Sequence, residues 1–313
     1  MRVFITGGSG WIGSAVVPEL IDAGHQVVAL ARSDDAADGL AAAGAEVRRG
    51  TLDDLEILRA EAAACDGVIH LAFRHDLAFS GDFEGAAAAD RRAIETFGEA
   101  LAGSDRPFLI ASGTLGLARG RLATEQDGHD LPPDVLARGA GPEARHANAE
   151  FTLSLASRGV RSSVVRLAPT NHGEGDNGFM TFLVGIAGDK GVSGYVGDGK
   201  SRWPAVHRLD SARLFRIALE KAPAGSTLHA VADEGVPIRA IAEVIGRHLD
   251  IPVVSVSPED AGEHFGFLGA LLSLDSPASS AITRDLVGWQ PVRPGLLDDL
   301  DEGHYFQKAP ALV

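Results

Sequence analysis

A chain of 313 residues, 45% of them hydrophobic, suits one large domain or a large and a small one, and no apolar run approaches the ~20 residues of a membrane span. A formal charge of −15 argues against nucleic acid or an anionic membrane surface as a partner, since both select basic faces. The single cysteine, Cys65, excludes an internal disulfide framework and fits a reducing, cytoplasmic setting; "MRVFITGGSG" leaves no room for a signal peptide.

In chain order, "RVFIT" reads as a strand that runs directly into "TGGSGWIG" and a helical pattern over 12–22. Thr6, Gly7, Gly10, Trp11, Ile12 and Gly13 make up this turn. Gly7 suits the tight bend, Gly10 the approach of a pyrophosphate, and Gly13 the close packing of helix on strand. A bare glycine pattern is weak evidence, but here it has the required strand before it and the helix after it. The turn predicts dinucleotide binding.

The second strand, "QVVALA", ends in Arg32 and Ser33, donors suited to a 2′-phosphate; Asp34 and Asp35 follow and would favour NAD if the strand ran longer. A helical pattern covers 34–43, and "AEVRR" is the third strand. Leu52 and Asp53 come next, where Asp53 can accept from an adenine amino group or cap the helix over 54–64. "GVIHLA", a helix over 84–102, "PFLIAS", a helix over 142–157 and "RSSVVRL" complete the alternation. Strands apolar throughout and separated by helices mean a parallel sheet covered on both faces. The expected architecture is a doubly wound α/β domain.

Beyond Arg166 the pattern loosens. "APTNHGEGDNGF" is loop-like, "GYVGDGKSRWPAVH" resembles a bent hairpin, and a helix spans about 210–220 before the strand "TLHAVA". "VPIRAIAEVIGRHL" sets a proline in the first turn of an amphipathic helix, "PVVSVS" is a short strand, and the tail with Trp289 reads as a packed cap. The domain expectation is 1–168, joined by 203–233, for the nucleotide end, with 169–202 and 234–313 as a smaller substrate-side region.

With these residues on the page, the sequence resembles the short-chain dehydrogenase/reductase superfamily, in its extended or atypical branch of NAD-dependent epimerases and dehydratases. "TGGSGWIG" resembles that branch's TGxxGxxG, and "GVIHLAF" its fourth-strand signature. "IASGTLG" resembles the active-site serine strand, "RLAPTNHG" the Arg-x-x-Pro segment, and "VHRLDSARL" a later Val-His-x-x-Asp helix start. The resemblance implies a Rossmann domain whose Leu71, Ala72 and Phe73 line the nicotinamide ribose, with Pro169 beside the nicotinamide. It implies Ser112 as the hydrogen-bond donor to a substrate carbonyl, with Thr114 close by, and places Asp90 where an asparagine is usual.

One departure stands out: the Tyr-x-x-x-Lys motif is missing. Taking Glu150 as the glutamate that follows the lysine puts His146 at the lysine position and Pro142 at the tyrosine position. The chain's two tyrosines, Tyr195 and Tyr305, lie far downstream. Reducing a carbonyl leaves charge on oxygen, which needs donors and finally a proton. Histidine, with a pKa of roughly 6.5, can give that proton near neutrality, whereas arginine stabilises an oxyanion but is a poor proton source. His146 is therefore favoured and Arg145 second. The two are adjacent and point about 100° apart on a helix, so one of them faces the cofactor. His75, His172 and His207 compete as acids, His70 reads as a core histidine within a strand, and Trp203 as a packing residue. No metal-ligand spacing and no G-x-S-x-G elbow occurs.

The resulting expectation is an oxidoreductase acting on a small carbonyl or alcohol. NADP(H) is the preferred cofactor, with NAD(H) as the alternative, and a homodimer through the helices of the α/β domain stays open. Two other readings stay open beside it: a catalytically silent NADP-binding regulator, and a nucleotide-sugar epimerase or dehydratase.

Overall fold

The structure, a computed structural model, describes residues 1–118, 120–130 and 144–307. Strand β1 (Arg2–Thr6) leads into helix α1 (Gly13–Asp22), β2 (Gln26–Ala31), α2 (Asp34–Ala42), β3 (Glu46–Arg49), α3 (Leu55–Ala64) and β4 (Gly67–His70). A short α4 (His75–Phe79), the long α5 (Phe83–Leu101), β5 (Pro107–Gly113), α6 (Ala144–Ser154) and β6 (Arg161–Leu167) follow. The strands of the main sheet run β10-β6-β5-β4-β1-β2-β3, all parallel, where β10 is Ser226–Ala230. The order reverses between β1 and β4, and in sheets of this kind a ligand binds beyond the carboxyl ends of the strands at such a switch point.

Both faces of the sheet are covered. On one, Val3, Ile5, Val27 and Leu109 pack with Val16 and Leu20 of α1 and with Leu214 and Phe215 downstream. On the other, Phe4, Phe108 and Ile110 meet Ile94, Phe97 and Leu101 of α5. Ala86, Ala89 and Ala93 are buried on α5 at helical spacing, and small side chains let a helix lie close to a sheet. Phe97 then fills the space between Phe4 and Phe108, its ring edge-on to both at 6.1 and 5.5 Å.

Past β6 come β7 (Thr170–His172), α7 (Phe179–Lys190), β8 (Ser193–Val196), β9 (Arg202–His207), α8 (Arg208–Lys221), β10, β11 (Asp233–Pro237), α9 (Ile238–Leu249) and β12 (Val253–Val256). The segment from Gly194 to His207 is not the hairpin its sequence resembles. β8 pairs in parallel with β12, while β9 is taken on both edges by β11 and β7. Gly197 and Gly199, both in the left-handed region at φ +59° and +68°, turn the chain from one sheet to the other. Pro237 ends β11 and sits just ahead of α9 rather than within its first turn. Trp203 is fully buried in a third apolar cluster with Met180, Ile241 and Leu268, a packing role. Trp289 is equally buried and donates from its indole to the Asp210 carbonyl at 3.0 Å, closing the tail over α8. Among the described residues no helix is long and apolar enough to cross a membrane.

Candidate active site at the carboxyl edge of the sheet

The glycine turn is built as its spacing demands. Gly7 has φ +71°, and a Cβ there would stand 2.5 Å from the Ala72 amide nitrogen. At Gly13 a Cβ would lie 2.0 Å from the Gly7 carbonyl oxygen, so any side chain would push α1 off the turn. Gly10 differs, since a Cβ there would meet only the Gly7 carbonyl, at 3.3 Å. Ile12, at the head of α1, brings no side-chain cap; the Ser14 amide donates to the Gly10 carbonyl at 2.8 Å and the Ala15 and Val16 amides to Ile12 at 3.0 Å, and the positive end of the helix faces the turn. The cradle therefore fits a pyrophosphate.

Thr6 connects the turn to the fourth strand. Its Oγ1 lies 2.6 Å from His70 Nδ1, and the other ring nitrogen of His70 is 3.1 Å from Asp90. Asn148 of α6 donates to Asp90 at 2.7 Å and to the Ala87 carbonyl at 3.0 Å. Burial would raise the Asp90 pKa, but His70, Arg145 and Asn148 together hold it below the usual carboxylate value. His70 is thus a satisfied core histidine. The chain Thr6–His70–Asp90–Asn148 ties the phosphate turn to the helix that bears Arg145. Asn148 was not singled out from the sequence; its position one turn after Arg145, opposite the unusual Asp90, was the available signal.

At the end of β2, the Arg32 side chain is 70% exposed and 3.9 Å from Asp76. Ser33 caps α2, its Oγ accepting from the Ala36 amide at 3.3 Å. Asp34 and Asp35 fall in the first turn of α2, and Asp34 pairs with Arg49 at 2.9 Å. Leu52 is buried, while the exposed Asp53 accepts from Arg74 and Arg92, each at 3.2 Å. Asp53 is not the helix cap; Asp54 borders α3 and uses its carboxylate on Thr51.

Leu71 and Ala72 leave β4 against Gly7, and Phe73 continues toward the edge of the sheet. The Phe73 ring is a platform: His75 stands edge-on to it at 5.2 Å, Phe83 lies 5.9 Å away, and the Arg145 guanidinium covers it at 4.2 Å. Arg145 also donates to the Ala111 carbonyl at 3.3 Å. That carbonyl immediately precedes Ser112, a buried residue whose hydroxyl has no hydrogen-bond partner among the described residues. Burial lowers the Arg145 pKa, opposed by the charge of Asp90, and burial followed by the Arg145 charge lowers that of His75.

Other expected residues have structural duties. Thr114 is fully buried and gives its hydroxyl to the Leu167 carbonyl at 3.4 Å, so it cannot hold a substrate oxygen as arranged. A side chain at the end of β5 that turns toward β6 is committed to the sheet. His172 is buried with Nδ1 2.9 Å from Asp299, and His207 caps α8 by accepting from the Leu209 amide at 3.2 Å. Glu150 pairs with His129 at 2.7 Å. Pro169 lies half-buried between β6 and β7, and His146 half-buried in the first turn of α6. Pro142 lies outside the described residues.

Known proteins agree with this geometry. Residues 3–95 match the family described as the NAD dependent epimerase/dehydratase family. An uncharacterised protein of Schizosaccharomyces pombe is 48% identical over 98% of this chain and 100% of its own length. A Stigmatella aurantiaca ketoreductase of 4-hydroxy-2-methyl-3-oxo-4-farnesyl-3,4-dihydroquinoline-1-oxide is 26% identical over 85% of this chain and 80% of that protein. Among solved structures, a UDP-glucose 4-epimerase of Thermotoga maritima with UDP-glucose superposes with a TM-score of 0.73 at 19% identity, covering 98% of each chain. The chain belongs to the NAD-dependent epimerase/dehydratase family of the short-chain dehydrogenase/reductase superfamily, and is an enzyme of that NAD(P)-dependent oxidoreductase type.

Proposed function

We propose that the protein is an NADP(H)-dependent reductase of a small carbonyl compound, in which Ser112 keeps the family's serine role and Arg145 takes over from the missing tyrosine and lysine in receiving the substrate oxygen. The observation that supports this reading is that the half-buried Arg145 guanidinium donates to the Ala111 carbonyl, one residue before buried Ser112, whose hydroxyl has no hydrogen-bond partner among the described residues. A cation and a hydroxyl aimed at one oxygen favour the charge that develops there, and low local polarity strengthens both.

The nicotinamide, when bound, supplies or accepts a hydride. Everything else falls to the chain. Phe73 holds the Arg145 guanidinium flat, and the Ala111 carbonyl fixes its rotation. Asn148, locked by Asp90, keeps α6 at the distance that lets Arg145 reach β5. Because arginine keeps its proton, the proton moves through a histidine. His75 shares the Phe73 platform with Arg145, and His146 follows Arg145 on α6, so either serves as carrier.

The preference for NADP(H) rests on the end of β2. Arg32 stands exposed there, 3.9 Å from Asp76, while Asp34, the next acid along the chain, pairs with Arg49 in the first turn of α2. A cytoplasmic location belongs to the same proposal and rests on the lone buried cysteine. The test is oxidation of NADPH against a broad panel of aldehydes, ketones and imines. Turnover with several small carbonyls is expected. Flat traces across the panel, with cofactor shown to be bound, would remove the catalytic reading and favour the silent regulator.

A further inference from the structure

The glycine turn has a second visitor that the family motifs do not name. Trp11, in the middle of the turn, donates its indole N–H to the Asn171 carbonyl at 2.7 Å, which fixes the plane of the ring. The guanidinium of Arg208, first residue of α8, lies over that ring at 4.2 Å from its centre. Gly173, at φ +140°, passes close to the Arg208 stem, where even a Cβ would come 3.4 Å from Cγ. Arg208 therefore sits between the Trp11 ring of the phosphate turn and the loop after β7.

What it lacks is an acceptor. Among the described residues Arg208 makes no hydrogen bond and no ion pair. Asp176, an acid on the neighbouring loop, accepts from the Gly178 amide at 2.7 Å and the Tyr305 hydroxyl at 3.0 Å. Burial lowers the Arg208 pKa, with Asp176 and Glu174 acting the other way at a distance. A half-buried guanidinium with open donors, stacked on an aromatic face, is a prepared anion site. Its aromatic platform, Trp11, belongs to the turn at the head of α1.

We propose that Arg208 closes on the dinucleotide pyrophosphate from the side opposite α1, using Trp11 as its resting platform. This rests on the dinucleotide reading of the site. The helix end supplies partial charge and N–H donors; Arg208 adds a full charge from a different part of the chain. Because the pyrophosphate is common to both pyridine nucleotides, Arg208 does not distinguish them, in contrast to Arg32.

The experiment is calorimetric titration of the full chain with NADPH, NADH and ADP-ribose, for the unaltered protein, R208Q and R208K. R208Q should weaken all three by a similar factor of about tenfold or more, and R208K by less, with the ligand-free melting temperature unchanged. The losses should shrink as salt rises. Unchanged affinity for all three in R208Q would overturn the proposal. So would a loss confined to NADPH, which would make Arg208 a reader of the 2′-phosphate, or a loss seen only in the KM for carbonyl substrate. If the unaltered protein binds none of the three probes, the dinucleotide reading itself fails, independently of Arg208.

Discussion

The Arg145 guanidinium rests on the Phe73 ring at 4.2 Å and reaches the Ala111 carbonyl at 3.3 Å. A residue from α6 is thereby joined to the segment after β4 and to the end of β5, next in sequence to Ser112, whose hydroxyl has no hydrogen-bond partner among the described residues. In the proposed mechanism this guanidinium takes over the positive charge that the missing lysine would have brought, from the residue just before His146.

If this guanidinium stabilises the substrate oxygen, R145M should lower kcat by about 10²–10³, the usual loss for one oxyanion donor, with little change in NADPH affinity. R145K should recover part of the rate. Steady-state kinetics with separate cofactor titrations decide it; an R145M enzyme with normal kcat would show that the arginine is only a packing element.

Proton delivery has a pH signature. Burial and the Arg145 charge place the His75 pKa below the ordinary histidine value. Reduction that uses protonated His75 should therefore fall as pH rises through a midpoint under about 6.5. Removing the Arg145 charge should move that midpoint upward, and H75Q should abolish it. A profile unaltered in H75Q would transfer the role to His146.

Cofactor choice should sit in one side chain. R32A is expected to weaken NADPH binding by about tenfold while leaving NADH within about twofold, since only the former carries the 2′-phosphate. Equal losses for both would place the selectivity elsewhere.

G13A should be severe. Its Cβ would lie 2.0 Å from the Gly7 carbonyl oxygen, so α1 must move away from the turn. Loss of detectable dinucleotide binding, together with a lower melting temperature, is the expected result.

Acid should weaken the fold through His229. Burial takes its pKa down to about 4, while Nδ1 stands 2.8 Å from the Ser279 carbonyl. A histidine depressed on folding contributes stability that is complete above its unfolded value of about 6.5 and is lost as pH falls toward the folded value, roughly 3 kcal/mol at most. Glu125, Arg166 and Asp127 modulate it. Denaturant titrations between these pH limits should show a flatter slope for H229Q than for the unaltered chain.

Local pattern carried a good deal of this. Val and Ile runs with helical spacing between them predict β1 to β6 and their helices, because burial on both sheet faces leaves no polar alternation. The glycine turn was legible for the same reason: steric exclusion at Gly7 and Gly13 acts between residues close in sequence or set by the first strand. Trp203 and His70 were likewise readable as core residues, since a strand buried on both sides leaves their side chains nowhere else to go.

Partner choice was not readable. The segment around Gly197 resembles a hairpin, yet β12, more than fifty residues on, supplies the partner of β8. Thr114 and Ser112 stand two residues apart at one strand end, but Leu167 of the neighbouring strand claims the Thr114 hydroxyl, and among the described residues that of Ser112 has no partner. His172 and His207 look like acids until Asp299 and the Leu209 amide engage them. Arg145 and His146 are a step apart on one helix, and the Asp90–Asn148 bond, formed between α5 and α6, accompanies the setting in which Arg145 reaches β5. The sequence by itself determined the elements and the phosphate turn, because sterics and burial periodicity act along the chain. Tertiary structure alone decided which polar groups are spent and which are left open, because a hydrogen bond is settled by whichever partner the fold delivers.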